Sequence, residues 1–80
     1  MPKLRLLSRP DCGLCDEFRL ELAHLAESTS LPPLELVDVD SDPELARRYG
    51  LEIPVLLLDD VRVCQHRLDS SELLRLLRPR

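Results

Sequence analysis

The feature that most constrains this chain is a pair of cysteines three residues apart, Cys12 and Cys15, placed where a short strand-like segment gives way to an amphipathic one. Two residues at this spacing on the first turn of a helix lie on one face. Their Cα atoms then fall within the roughly 4.4–6.8 Å that a disulfide tolerates. The N-terminus of a helix also carries partial positive charge, which favours a thiolate. We therefore expect Cys12 to be a nucleophile and Cys15, deeper in the turn, to be the thiol that resolves its mixed disulfides.

The length, charge and cysteine count narrow the classes of function that fit the chain. Its 80 residues are enough for one small domain, which we place at residues 1–80. The net charge is −4 and the two signs are interspersed, which argues against non-specific binding to nucleic acid or to anionic membranes. Three cysteines leave one over from any set of structural disulfides. In a reducing compartment, a Cys-x-x-Cys pair indicates catalysis or metal binding.

The hydropathy of the chain bears on its location. No apolar run is long enough for a signal peptide or a membrane span. We therefore expect a cytoplasmic protein, in a compartment where thiols are kept reduced. We expect it to act as a monomer on a thiol or disulfide substrate, with no nucleic-acid or membrane partner.

Hydrophobic periodicity and turn residues predict seven elements in the order β-α-β-α-β-β-α. The predicted strands span residues 3–7, 34–39, 53–58 and 61–65, and the first two predicted helices span residues 13–28 and 43–49. Asp42 and Asp69 are predicted N-caps of the second and third helices, and Asp69 forms a capping box with Glu72. Gly50 and Pro79 are predicted to end these two helices.

The same pattern predicts which side chains are buried. On the first helix we expect a buried face that begins at Leu14 and continues at helical spacing. On the second strand we expect Leu34 and Leu36 to point inward. On the fourth strand, strict alternation predicts that Arg62 and Cys64 share one side, opposite the neighbouring valines.

The element order, the Cys-x-x-Cys pair and the Ile-Pro that opens the third strand together resemble the thioredoxin fold in its short glutaredoxin form. The resemblance covers almost the whole chain and is carried by residues 12–15, 42–50 and 53–55. The chain is most similar to the small bacterial glutaredoxin-like proteins whose first helix opens Cys-x-Leu-Cys-Asp-Glu, as residues 12–17 do. The resemblance implies an α/β fold: a single thioredoxin-like domain with a four-stranded mixed sheet covered by three helices.

The resemblance also implies a function and a site. It implies a thiol–disulfide oxidoreductase that acts on a protein or on glutathione, with no bound cofactor and with glutathione as a candidate co-substrate. It implies a cis peptide bond before Pro54 that faces the two cysteines, and backbone pairing between Ile53 and an extended substrate. The catalytic residues would be Cys12 and Cys15. The residues predicted to bind substrate are Arg9, Gly13, Leu14, Ile53 and Pro54.

Several positions differ from the usual glutaredoxin pattern. Gly13 and Leu14 stand where Pro-Tyr is usual, so the tyrosine that lines the glutathione site is missing. Glu52 is acidic where a site for a glutathione carboxylate would favour neutral or basic residues. His66 begins the segment that stands in place of the usual Gly-Gly turn. The resemblance therefore bears on the fold more than on the use of glutathione.

Two other interpretations stay open on the sequence alone. The chain is compatible with a non-enzymatic binding module of thioredoxin fold, in which the Cys12–Cys15 disulfide is regulatory or vestigial. It is also compatible with a zinc or iron–sulfur carrier, because Cys12, Cys15, Cys64 and His66 would make a Cys₃His zinc set if the end of the fourth strand reached the cysteine pair. The simpler expectation is that Cys64 is a small core residue and that His66 lies in a solvated loop.

Overall fold

The computed structural model describes residues 2–78 and has the element order that the sequence predicts. The strands are β1 (Leu4–Ser8), β2 (Leu34–Asp38), β3 (Val55–Leu58) and β4 (Val61–Gln65). The helices are α1 (Gly13–Ser28), α2 (Pro43–Tyr49) and α3 (Ser70–Leu77), with a 3₁₀ turn at Val39–Ser41 before α2. The predicted end of the last helix at Pro79 lies outside the described residues. Within residues 2–78, none of the helices is both long and apolar enough to cross a membrane.

The four strands form one mixed sheet in the order β2-β1-β3-β4. Strand β1 pairs with β2 in parallel and with β3 antiparallel, and β3 pairs with β4 antiparallel. The predicted α/β architecture, a four-stranded mixed sheet with three helices, is therefore confirmed.

Alternation along β1 divides the core into two clusters, one on each face of the sheet. Leu4 and Leu6 face α1 and α3, whereas Leu7 faces α2. The buried members of the first cluster are Leu4, Leu6, Phe18, Leu22, Leu56 and Leu73. The buried members of the second cluster are Leu7, Val39, Tyr49, Val55 and Leu57. The helices therefore cover both faces of the sheet, and α2 alone covers the second.

Aspartates begin both of the later helices, as predicted. Asp42 Oδ1 accepts the Glu44 N–H at 2.9 Å, and Asp69 Oδ1 accepts the Glu72 N–H at 3.0 Å. The other half of the predicted capping box is replaced by different partners. The Glu72 carboxylate binds Arg75, and the Asp69 N–H donates to Cys64 Sγ at 3.5 Å. Helix α3 is therefore tied to β4 through a sulfur atom.

The hairpin between β3 and β4 turns on two aspartates in the left-handed region. Asp59 has φ 49° and Asp60 has φ 68°, the conformation of the tight turn that matches strand twist and usually contains glycine. Asparagine and aspartate tolerate this region better than most residues. The Lys3 N–H donates to Asp59 Oδ1 at 3.0 Å, and Arg5 Nη1 lies 3.2 Å from Asp60 Oδ1. The turn is thus held to the start of β1.

Leu34 and Leu36 point to the α1 side of the sheet, as predicted, because they pair in parallel with Leu4 and Leu6, but they are not buried. Their exposed fractions are 41% and 52%, because β2 is an edge strand and the buried residues of α1 pack over β1 and β3. Leu14, expected on the buried face of α1, is 43% exposed. The hydrophobic pattern of β2 does not reveal that the strand lies at the edge of the sheet.

The predicted alternation of β4 is wrong, because the strand contains a β-bulge. Cys64 pairs with Leu56 but Arg62 pairs with Leu57, which leaves Val63 as the extra residue. Neighbouring residues of β3 point to opposite faces. Arg62 therefore lies on the α2 face of the sheet, whereas Cys64 packs against the cluster on the other face.

Gly50 ends α2 as predicted, but for a different reason. Its φ of −55° and ψ of −32° are right-handed, so the left-handed conformation that favours glycine after a helix is not used. A Cβ built on Gly50 would collide with the carbonyl oxygen of Ala46 and would lie 3.0 Å from Arg9 Nη2. Glycine is required at position 50 because the Ala46 carbonyl and the Arg9 side chain lie too close to leave room for a Cβ.

Replacing Gly50 with alanine should destabilise the protein. Overpacking of this kind lowers the free energy of unfolding by about 1–3 kcal/mol, and urea unfolding followed by circular dichroism measures the change. Gly13→Ala is the matched control, because nothing lies within 4 Å of a Cβ built there. Alanine in the first turn of α1 should leave stability unchanged or raise it by up to about 1 kcal/mol. Equal effects of the two substitutions would contradict the packing explanation.

Candidate redox site

The site is built where four chain segments meet at one end of the sheet. Leu7, near the end of β1, pairs with Val55 at the start of β3, and Val55 pairs in turn with Gln65 at the end of β4. Ser8 pairs with Asp38 at the end of β2. The loops that follow β1, β2 and β4 and the loop that precedes β3 therefore share this end. The predicted site residues lie in two of these loops and in the first turn of α1.

Cys12 and Cys15 are joined by a disulfide with a Cα–Cα separation of 5.2 Å. Cys12 is the N-cap of α1, and its Sγ accepts the N–H of Cys15 at 3.2 Å. An N–H donor and the helix N-terminus both stabilise negative charge on this sulfur. Cys12 is half-buried, whereas Cys15 is only 1% exposed. Cys12 is thus the sulfur that an incoming thiol reaches first.

The residues on either side of Cys12 in the chain are exposed. Asp11 has φ 60°, which turns the chain sharply before the cysteine. Gly13 is exposed and open on the side where a Cβ would stand. Leu14 adds an exposed apolar surface to the first turn of α1. Gly13 and Leu14 therefore lie at the surface next to Cys12 in the chain.

The peptide bond between Ile53 and Pro54 is cis. Pro54 is buried, and Ile53 packs against the second core cluster, on the α2 face of the sheet. The Pro54 carbonyl accepts the N–H of His66 at 2.8 Å, and the Glu52 N–H donates to the Tyr49 carbonyl at 2.8 Å. Ile53 thus lies between two residues whose backbone is hydrogen-bonded to the rest of the fold.

The side chain of Arg9 forms hydrogen bonds with other residues of the protein. Its Nε and Nη2 donate to the two carboxylate oxygens of Asp40 at 2.7 and 3.1 Å, and its Nη1 donates to the Gly50 carbonyl at 3.0 Å. Hydrogen bonding with Arg9 holds the pKa of Asp40 below its usual value, and the same hydrogen bond raises the pKa of Arg9. Arg9 joins the end of β1 to the 3₁₀ turn and to the end of α2. Its predicted contact with substrate stays a prediction.

A second arginine, Arg62, lies close to the cis-proline segment, residues 50–54, and is not among the residues predicted to bind substrate. Arg62 Nη1 donates to the carboxylate of Glu52 and to the side-chain oxygen of Gln65. Its guanidinium carbon lies 5.2 Å from the centroid of the Tyr49 ring. An arginine flanked by two valines in a strand was the available signal, but the face on which it lies could not be assigned without knowledge of the bulge.

Cys64 takes no part in the disulfide. It faces the α1 and α3 side of the sheet and packs against the first core cluster. Burial raises the pKa of its thiol above the ordinary value. Among residues 2–78, no three histidine, cysteine, aspartate or glutamate side chains come together as a metal site. The Cys₃His alternative therefore has no geometric support.

Comparison with known proteins found a matching family model and similar solved structures. A family model described as "Glutaredoxin-like domain (DUF836)" matches residues 3–78. The solution NMR structure of protein Ne2328 from Nitrosomonas europaea is 30% identical with a TM-score of 0.83, over 94% of this chain and 89% of that one. The X-ray structure of the structural-genomics target XcR50 from X. campestris is 32% identical with a TM-score of 0.65, over 92% and 93%. No curated protein matches the sequence.

Asp40→Asn should lower stability in a pH-dependent manner. The pKa of Asp40 is depressed in the folded state, so its contribution is present above the unfolded pKa and is lost as pH falls through the folded pKa. Urea midpoints measured from neutral to strongly acidic pH should therefore converge for the wild type and the variant at the acidic end. High salt should reduce the difference at neutral pH, since the pair is partly exposed. A difference independent of pH would contradict this assignment.

The raised pKa of Cys64 predicts slow alkylation. In the reduced protein, iodoacetamide at neutral pH should modify Cys12 faster than Cys64, because the thiolate is the reactive form. Peptide mass spectrometry over a time course measures the three rates. Faster reaction at Cys64 than at Cys12 would show that burial does not protect this thiol.

Proposed function

This chain belongs to the glutaredoxin-like domain family (DUF836), and on that premise we propose that it is a thiol–disulfide oxidoreductase. The observation that supports the proposal is the asymmetry of the cysteine pair. Cys12 is accessible at the N-terminus of a helix and Cys15 is buried beneath it. Such a difference suits a nucleophile and a resolving thiol, since only the first must meet the substrate.

The proposed reaction has two exchange steps. The Cys12 thiolate attacks one sulfur of a substrate disulfide, so that a mixed disulfide forms and the other substrate sulfur leaves as a thiolate and takes up a proton. The Cys15 thiolate then attacks Cys12 Sγ, which forms the Cys12–Cys15 disulfide and releases the second substrate thiol. Two electrons pass from the protein dithiol to the substrate. The N–H of Cys15 stabilises the negative charge of the Cys12 thiolate, both before it attacks the substrate and when the Cys12–Cys15 disulfide is reduced again.

Reduction of the protein disulfide completes the proposed cycle. This step needs an external dithiol or two molecules of a monothiol, and glutathione is the monothiol that we propose as co-substrate. Two glutathione molecules would be oxidised to glutathione disulfide for each protein disulfide reduced. No bound cofactor enters the scheme.

The proposed substrate groove runs along the cis-proline segment. An extended segment that pairs with the backbone of Ile53 would place its sulfur near Cys12, because the loops that carry the two residues share one end of the sheet. Gly13 and Leu14 would line the other side, and Arg9 would shape the loop between them. The substrate is accordingly a disulfide or thiol in a protein segment or in glutathione.

The proposal includes a compartment and an oligomeric state. A catalytic cysteine pair with a third, unpaired cysteine suits the reducing cytoplasm better than an oxidising compartment, where structural disulfides form. The site described above is assembled from one chain, which is compatible with a monomer.

Cys15→Ser should trap the first exchange step. In glutathione redox buffers, intact mass should show that the wild type loses two hydrogens on oxidation, whereas Cys15→Ser gains one glutathione on Cys12. Cys12→Ser should do neither to a comparable extent, because Cys15 is buried. Cys64→Ser is the matched control and should behave as the wild type. If the pair stays reduced over the whole range of potentials, the proposed activity is wrong.

A further inference from the structure

We propose that Arg62 is a positioning residue that holds the cis-proline segment, residues 50–54, ready to receive an extended substrate. The inference rests on the proposed function and adds to it a residue that lies outside the predicted site. Arg62 acts through Glu52, the residue before Ile53, and is not proposed to touch the reacting sulfurs.

The β-bulge in β4 is what brings Arg62 to this position. Without the extra residue Val63, Arg62 and Cys64 would share a face, and Arg62 would point into the cluster beneath α1 and α3. With it, Arg62 lies on the same face as Val55 and Leu57, the face that α2 covers. Bulges beside functional sites commonly redirect a side chain in this manner.

Three groups fix the guanidinium of Arg62. Its Nη1 donates to the Glu52 carboxylate and to the Gln65 side-chain oxygen. The Tyr49 ring lies beneath it, with 5.2 Å between the guanidinium carbon and the ring centroid. Arg48 lies 5.1 Å from the centroid of the same ring. A planar guanidinium suits this combination of stacking and directed hydrogen bonds, which an ammonium group would not reproduce.

Backbone hydrogen bonds hold the segment at several points, and Arg62 adds a contact to the side chain of Glu52. Arg9 donates to the Gly50 carbonyl, His66 donates to the Pro54 carbonyl, and the Glu52 N–H donates to the Tyr49 carbonyl at the end of α2. Leu51, which lies between the anchored residues, is 98% exposed and contributes no packing. The side chain of Glu52 is 37% exposed and that of Arg62 is 38% exposed. Their contact therefore connects the middle of the segment to the sheet.

This arrangement favours extended substrates in particular. Strand addition requires the N–H and C=O of Ile53 to point outward in a fixed direction. If the segment is ordered before binding, the complex loses less conformational entropy when it forms. The affinity for a small disulfide, which makes no contact with the backbone of the segment, does not depend on whether the segment is ordered. Loss of Arg62 should thus weaken binding of a peptide and spare the chemical step.

The test compares two substrates across a set of variants. In Arg62→Gln, KM for a disulfide-linked peptide should rise about fivefold, as expected for the loss of a partly exposed charge pair, with kcat unchanged. KM and kcat for 2-hydroxyethyl disulfide should stay within about twofold, as should the reduction potential of the cysteine pair. Glu52→Gln should give a similar rise, and the double variant no larger a rise than either single one. Arg62→Lys, which keeps the charge, should restore part of the loss.

The Arg75–Glu72 pair of α3 provides the matched control. It joins the same residue types across an exposed surface, and Arg75→Gln should leave KM unchanged for both substrates. Equal rises in KM for the peptide and the small disulfide in Arg62→Gln would overturn the proposal, as would no rise at all.

A second measurement separates this inference from the proposed function. Hydrogen exchange of the amides of residues 51–53 should be faster in Arg62→Gln than in the wild type, and unchanged in Arg75→Gln. If the wild type turns over neither disulfide, the proposed function fails, and the exchange rates still decide whether Arg62 holds the segment. Unchanged exchange in Arg62→Gln would refute the positioning role.

Discussion

Strand β1 is buried on both faces, and its position between β2 and β3 determines where the other elements lie. Leu4 and Leu6 are fully buried against α1 and α3, and Leu7 is 1% exposed against α2. Burial on this scale is the main source of stability in a domain of this size. The same strand leads directly into Arg9 and Cys12, so the hydrophobic contacts that fix β1 also fix the candidate redox site.

The local features of this fold could be predicted from the sequence, and the features that depend on distant neighbours could not. Asp42 and Asp69 were identified as N-caps because a cap is determined by the residues that follow it. Leu34 and Leu36 were assigned to the core because their hydrophobicity does not reveal that β2 lies at an edge. Gly50 was placed correctly at the end of α2, but its close contact with Arg9 depends on a residue 41 positions earlier.

The candidate site divides in the same way. Cys12 and Cys15 were evident because both their spacing and their place at a helix start are local. The pairing of Arg62 with Glu52 was missed because a single extra residue in β4, Val63, changes the face on which Arg62 lies. Strict alternation was the natural assumption for β4, and no residue of the strand contradicts it in isolation. The site thus combines a motif that the sequence displays with supports that only the register of the sheet reveals.

The topology also has a consequence for how the chain assembles during synthesis. Strand β1 is made first, yet its antiparallel partner is β3, with Leu4 opposite Leu58 and Leu7 opposite Val55. The turn residues Asp59 and Asp60 contact Lys3 and Arg5, which are equally distant from them in the sequence. Contacts between residues so far apart in sequence slow folding, because the intervening loop must close before they form. The leucines of β1 therefore leave the ribosome well before the strand that completes the centre of the sheet.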